Sequence, residues 1–243
     1  YLNGFPSTPL LDDFDRADGS IGSHWSGNTF GYNIASSQLA VDYSGSNSDI
    51  YWSNESFGAD QEAYVTLTNV DADAWEQDLL LKAQSNNTWG DGVLEVLYDP
   101  SGQRVQVWTY EWPSEWIQHG ADIPVTFVDG DQFGARALAD GTVEVYRNGE
   151  LLAARDITSW SHFADGGYIG LWFIGAEDAV LDDFGGGRRN EPDAGAIECH
   201  PDRYWTLLAG IPNRLEPESI CYICATQQKR QCNPQTAEQR RVG

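Results

Sequence analysis

Aromatic residues concentrate in one short segment, VQVWTYEWPSEWIQHG, which begins at Val105. If Val105 and Val107 face a core, Trp108 and Tyr110 point outward, because successive side chains of a strand alternate between its faces. Flat rings beside polar groups hold sugars, since sugar C–H groups stack on the ring and hydroxyl groups bond to amides and carboxylates. The segment therefore predicts a carbohydrate-binding surface, which consists of Trp108, Tyr110, Trp112, Trp116 and Gln106.

The same rings suit a second interpretation, in which they are covered by the C-terminal tail or by a neighbouring subunit. Other tryptophans fall in strand-like runs and are predicted to be core residues, namely Trp25, Trp52 and Trp172. Signatures of catalysis are weak. No Gly-x-Ser-x-Gly sequence marks a serine nucleophile. The histidines are scattered without metal-ligand spacing, at His24, His119, His162 and His200.

All four cysteines lie near the C-terminus, at Cys199, Cys221, Cys224 and Cys232. One Cys-x-x-Cys pair with two unevenly spaced partners is a poor zinc signature, whereas two such pairs would be a strong one. We expect two disulfides, because the count is even and a short segment needs cross-links to be stable. Zinc is the alternative, and the sequence leaves the pairing open.

Charge divides the chain. The formal net charge is −23, which argues against nucleic acid as a partner, because few cations are present to neutralise phosphates. Residues 1–187 carry 6 Lys and Arg against 30 Asp and Glu, whereas residues 188–243 carry 8 against 7. The change falls at the Gly/Pro-rich stretch GGGRRNEPDAG, which is typical of a domain boundary. We expect an N-terminal extension (1–9), an acidic domain (10–187) and a cysteine-containing tail (188–243).

The acidic domain shows the period of β-strands. Alternation is clear in EAYVTLTNV and RVQVWTY, and the Asn148-Gly149 dipeptide between two strand-like runs predicts a hairpin. No helical period of 3.6 residues appears before the tail. More than about ten short strands separated by turns favour a two-sheet sandwich over a barrel or an α/β fold.

Three segments together resemble a known family: LDDFDRADGSIGSHWSG at the start, GDQFGARALADGTVEVYRNGELLAARD in the middle, and GGYIGLWFI with VLDDFGGG at the end. They are similar to concanavalin A-like jelly-roll domains, specifically the laminin G-like modules of secreted bacterial and phage proteins. The resemblance implies an all-β, two-sheet antiparallel jelly-roll sandwich over residues 10–187, and it does not extend to the tail. It says little about activity, because such domains include lectins, glycanases and structural modules.

The resemblance also gives meaning to the LDDF sequence, which occurs twice. In such sandwiches the first and last strands are neighbours, and many hold a structural calcium ion near them. Adjacent carboxylates repel each other, and calcium would relieve that repulsion. The calcium ligands are expected among Asp12, Asp13, Asp182 and Asp183. The alternative is four separate, solvated acids.

Glycanases of this superfamily carry a Glu-x-Asp-x-x-Glu sequence on the concave face, and no match to it is found. Glu95 and Glu144 are single acids that face away from the valines of their strands, and we expect both to be solvated. The sequence therefore predicts a protein that is not an enzyme.

Two functions remain. The first is a non-catalytic, lectin-like carbohydrate-binding or adhesive module that prefers neutral or cationic glycans, because the acidic domain repels anionic ones. The second is a structural subunit of an extracellular filament or surface assembly, in which the tail and the N-terminal extension contact other copies. No run of 18 apolar residues predicts a membrane span. Since Tyr1 cannot be an initiator residue, we expect a processed chain that is secreted or displayed at the cell surface.

Overall fold

The computed structural model describes residues 4–43, 48–113 and 115–188. Strands dominate these residues, with two short 3-10 turns at Thr29–Gly31 and Trp89–Asp91. The strands are β1 (Leu10–Asp12), β2 (Gly19–Ser20), β3 (Trp25–Gly27), β4 (Tyr32–Ala35), β5 (Gln38–Val41), β6 (Asp49–Trp52), β7 (Gln61–Asn69), β8 (Glu76–Ala83), β9 (Val93–Asp99), β10 (Arg104–Tyr110), β11 (Ile117–Gln118), β12 (Ile123–Pro124), β13 (Asp131–Ala137), β14 (Thr142–Arg147), β15 (Glu150–Asp156), β16 (Tyr168–Ile174) and β17 (Val180–Arg188).

The strands form two antiparallel sheets. Sheet A has the order β15-β14-β13-β7-β17-β5-β4-β2, with β1 also paired to β17. Sheet B has the order β11-β10-β9-β8-β16-β6-β3, with β12 also paired to β10. The main core lies between the sheets and contains inward residues of both, such as Val65, Leu79 and Val107. The predicted two-sheet sandwich is confirmed.

The two LDDF sequences are neighbours. β1 pairs with β17 in antiparallel fashion, with Leu10 opposite Gly185 and Asp12 opposite Phe184. Phe14 and Phe184 are both fully buried in the core. The repeat therefore encodes two paired strand ends, each of which sends an aromatic ring inward.

The predicted hairpin is also present. β14 and β15 are joined by Asn148 and Gly149, whose φ angles are 51° and 78°. Two consecutive positive φ angles are what a tight two-residue hairpin turn requires, and Asn and Gly adopt them at low cost. Local turn chemistry therefore fixes the register of this edge of sheet A.

The described part of the N-terminal extension packs on its own chain. Phe5 stacks on Tyr146, with ring centroids 4.0 Å apart and planes 7° apart. Gly134 makes room for it, since a Cβ there would lie 2.2 Å from the Phe5 ring. Ser7 and Thr8 bond to Glu62 on the same outer face of sheet A. Self-association through the described part of this segment therefore has no support.

The tail and its four predicted disulfide cysteines lie outside the described residues. The first compact unit of the chain is Tyr1–Asn190, and every residue discussed below belongs to it. Within the described residues, no helix is long and apolar enough to cross a membrane.

Candidate functional site

The outer face of sheet B carries most of the unusual side chains. The strand register arranges these side chains in rows. One row crosses β10, β9, β8 and β16 and contains Trp108, Glu95, Leu80 and Gly170. One row further along, Leu97, Asp78 and Trp172 lie opposite one another. Residues opposite each other in an antiparallel pair share a face. The outward residues of four central strands therefore form one continuous surface, which we call the outer face of sheet B.

Four rings pack together on this face: Trp89, Tyr110, Trp116 and Trp172. Trp89 stacks on Trp172, with centroids 5.6 Å apart and planes 20° apart. Trp116 contacts the other three rings, with centroid distances of 5.6 Å to Trp89, 5.2 Å to Tyr110 and 6.1 Å to Trp172. The cluster is separate from the core between the sheets.

This cluster differs from the sequence predictions in the position of Trp172 and in the members of the aromatic surface. Trp25 and Trp52 lie in the main core as predicted, but Trp172 belongs to the outer-face cluster, although it is only 4% exposed. Tyr110 and Trp116 lie in the predicted aromatic surface, but their planes are 43° apart. Trp89, which is distant from them in sequence, completes the cluster because the turn at Trp89–Asp91 lies over the sheet. Its backbone N–H donates to Asp49 Oδ2 at 3.1 Å.

The other predicted glycan-binding residues lie beside the cluster. Trp108 is half-buried, and its indole N–H donates to Gln106 Oε1 at 3.2 Å. Gln106 in turn donates to Asp122 Oδ1 at 2.6 Å, and Arg104 donates to Asp122 Oδ2 at 2.8 Å. Hydrogen bonds from these residues and from Gln118 lower the pKa of Asp122, which keeps it ionised. Trp112 stands apart, with 79% of its surface exposed.

A group of three acids lies on the same face. One carboxylate oxygen each of Glu76, Asp78 and Glu95 lies within 4.8 Å of the other two. Glu76 and Asp78 share a face because they are two residues apart on β8, and the register of β9 places Glu95 diagonally beside Asp78. Asp78 is 0% exposed and Glu95 is 4% exposed, whereas Glu76 is partly exposed.

The electrostatics of this acid cluster are unfavourable. Burial, and then the charges of Glu95 and Glu76, raise the pKa of Asp78 well above its usual value. Burial, and then the charge of Glu76, raise the pKa of Glu95 in the same direction. Neither oxygen of Asp78 accepts a hydrogen bond that meets normal geometric limits, and the indole N–H of the adjacent Trp172 has no acceptor. The face thus holds buried polar atoms that the described protein residues leave without partners.

The expectation of a solvated acid is wrong for Glu95, which is buried in the acid cluster. The side chain of Glu144 keeps 22% of its surface exposed, and it accepts hydrogen bonds from Arg136 at 3.0 Å and from Tyr146 at 2.5 Å. Alternation correctly placed both side chains away from the core, but an outer face can itself be covered. The missed signal is Glu76-Gln77-Asp78, in which the two-residue spacing places two carboxylates on one face of a strand.

The acids of the predicted calcium site have other surroundings. Asp12 Oδ1 accepts from the Phe14 amide at 2.9 Å and from Arg16 at 2.5 Å, and its Oδ2 accepts from the Trp25 indole at 2.8 Å. Both oxygens of Asp12 thus accept hydrogen bonds from protein donors. Burial, and then the charges of Asp182 and Asp13, raise the pKa of Asp183. Calcium bound among Asp12, Asp13, Asp182 and Asp183 stays a prediction.

Comparison with known proteins places the fold. No family model matches the chain, and no curated protein matches its sequence. A β-agarase A structure in complex with oligoagarose is 12% identical, covers 73% of this chain and 89% of its own, and has a TM-score of 0.52. A laminarinase from Rhodothermus marinus is 10% identical, covers 77% of this chain and 100% of its own, and has a TM-score of 0.50.

A third similar structure is described in connection with endo-acting O-glycanases of the human gut microbiota. It is 10% identical and covers 76% of this chain and 100% of its own, with a TM-score of 0.51. Similarity at this level of identity establishes a jelly-roll sandwich and agrees with the concanavalin A-like resemblance. The narrower laminin G-like assignment has no matching family model and stays a prediction.

Proposed function

We propose that this protein is a secreted or cell-surface module that binds a neutral polysaccharide on the outer face of sheet B. The observation that carries the proposal is the outward row of β10. Its four half-buried side chains run from polar to aromatic, in the order Arg104, Gln106, Trp108 and Tyr110. Sugar sites combine these two kinds of group, because a sugar has apolar C–H faces and a polar rim of hydroxyls.

The row is held in place before any ligand arrives. Gln106 lies between Trp108 and Asp122 and bonds to both. A ring fixed in this way loses little conformational freedom on binding, which favours affinity. The β-agarase similarity supports the proposal only through the shared fold.

Substitution of Trp108 tests this site. We expect Trp108→Ala to weaken binding of a neutral probe, oligoagarose or laminari-oligosaccharide, by about 1–3 kcal/mol, the range for one well-packed anchor residue. The measurement is isothermal titration calorimetry in chelator. Phe30→Ala is the matched control, because Phe30 is an aromatic ring that is 68% exposed and lies outside sheet B. An equal loss in both variants, or tighter binding of polygalacturonate than of the neutral probes, would contradict the proposal.

Hydrolysis of the bound glycan is a second candidate function, which the acid cluster favours over the non-catalytic prediction. Glycoside hydrolysis needs two carboxyl groups, one to protonate the leaving oxygen and one to attack the anomeric carbon or to activate water. Oxygens of Asp78 and Glu95 lie within 4.8 Å of each other, so two carboxyl groups are side by side on this face.

Release of new reducing ends from the same probes tests this candidate. We expect Glu95→Gln to abolish any release while binding at Trp108 persists, because an amide cannot transfer the proton. The matched control is Glu55→Gln, which changes an exposed acid that belongs to no strand. Release by wild type that survives Glu95→Gln would remove the acid cluster from the reaction, and no release by wild type would leave binding as the function.

A further inference from the structure

Within the described residues, the acid cluster lacks the counter-charge that buried carboxylates normally have. After burial, the charges of Glu95 and Glu76 raise the pKa of Asp78, and the charge of Glu76 raises the pKa of Glu95, whereas the side-chain contact with Asp78 lowers the pKa of Glu95. Three ionised carboxylates so close together, two of them buried, would repel one another strongly. Some positive charge must therefore compensate them when all three are ionised.

Asp78 gives an independent sign of an absent partner. Its side chain is fully buried, and among the described residues neither of its oxygens has a hydrogen-bond partner of normal geometry. Nearly all buried polar atoms in folded proteins have a partner, so a buried carboxylate without one points to a ligand. Glu62, which is equally buried on sheet A, shows that this fold can supply donors, since Arg136, Ser7 and Thr8 all bond to it.

We propose that Glu76, Asp78 and Glu95 bind one calcium ion. The donor set consists of oxygen atoms alone, which suits a hard divalent cation. Two oxygens on opposite sides of calcium lie about 4.8 Å apart, because each Ca–O bond is about 2.4 Å long. The three oxygens lie within 4.8 Å of one another, so they can surround one calcium ion.

The remaining ligands can come from solvent. Glu76 is the partly exposed member of the cluster and gives the ion its contact with water, so that water completes the coordination shell. This calcium site is distinct from the one that the sequence predicted at the paired LDDF strand ends. It does not depend on glycan binding, and its test uses no glycan.

Thermal unfolding of the full chain, stripped with chelator and titrated with calcium, tests the proposal. We expect the melting temperature to rise by roughly 5–10 °C at a hundredfold excess of calcium over its dissociation constant. Terbium, a luminescent stand-in for calcium, should show emission excited through tryptophan, because Trp172 lies opposite Asp78. Asp78→Asn should abolish both signals.

Asp182→Asn is the matched control, because it removes an acid of the predicted site at the strand ends and should leave both signals intact. Glu76→Gln is the second variant, since its partly exposed side chain makes misfolding a small risk, and it should weaken calcium binding at least tenfold. No response of wild type to calcium, or a response lost in Asp182→Asn and kept in Asp78→Asn, would overturn the proposal. A response to magnesium but not calcium would overturn the choice of ion.

Discussion

The outer faces of the two sheets both bury carboxylates, but they treat them in opposite ways. On sheet A, register places Arg136 directly between Glu62 and Glu144. Arg136 bonds to Glu62 at 2.6 Å and to Glu144 at 3.0 Å, and residues 4–8 cover the network. On sheet B, the equally buried Asp78 and Glu95 have no cation beside them in the part of the chain that the structure describes.

The difference separates a structural network from a candidate site. Buried charges cost free energy unless they are paired and hydrogen-bonded. Sheet A meets that requirement with its own residues, so its outer face needs nothing from outside. Sheet B leaves the requirement unmet, which fits a surface whose partner is a ligand. The proposed cation and glycan both belong to this second face.

The largest effect on stability should follow when the ion pairs on the outer face of sheet A are removed. We expect Arg136→Met to lower the free energy of unfolding by about 3–5 kcal/mol, because Glu62 is then left as an unpaired buried charge. Urea denaturation measures this loss. Arg104→Met is the control, since the Arg104 side chain is 40% exposed and an exposed pair contributes only about 0–1 kcal/mol. A loss no larger than that of the control would show that Ser7 and Thr8 alone satisfy Glu62.

On the outer face of sheet B, loss of an acid should change the free energy of unfolding by less and in the opposite direction. In chelator at pH 8, we expect Asp78→Asn to raise the free energy of unfolding by about 1–3 kcal/mol, the range for relief of an unsatisfied buried group. The raised pKa values of Asp78 and Glu95 also fix the pH dependence. These two groups should contribute most to the free energy of unfolding of wild type at or below about pH 4, where both are protonated in the folded state. Their contribution should be lost as pH rises through their folded-state pKa values.

The free energy of unfolding of Asp78→Asn should therefore change less with pH than that of wild type above about pH 4, where free carboxyl groups ionise. Chemical denaturation at several pH values gives both profiles. Asp182→Asn, which removes an acid of sheet A, is the control for the loss of one acid. A destabilised Asp78→Asn with an unchanged profile would mean that Asp78 has a compensating partner, and the contrast between the faces would fail.

Much of the fold was predictable from local patterns. Alternating residues marked the strands, and Asn148-Gly149 marked a hairpin that the structure confirms. The outward position of Trp108 and Tyr110 on β10 followed from the same alternation and is also observed. The resemblance added the pairing of the terminal strands. These features depend on residues close in sequence or on a fold already known.

The candidate site was only half predictable. The aromatic part was visible because its residues lie within one short segment, but Trp89 and Trp172 joined it only through folding. The acid cluster could not be predicted from the strand of Glu95, because Glu95 is the single outward-facing acid of the segment GVLEVLY. Its partners lie on a neighbouring strand, and no local pattern connects the two.

The sequence by itself determined which face of each strand a side chain occupies, because side chains alternate with a period of two residues. Only the tertiary structure decided which residues meet on that face. Arg136 and Glu62 are 74 positions apart, and strand order and register bring them together. The same two factors leave Asp78 beside Glu95 without a cation. Alternation is a local property of the chain, whereas pairing depends on contacts between distant segments, so one face of the sandwich came to be neutralised and the other did not.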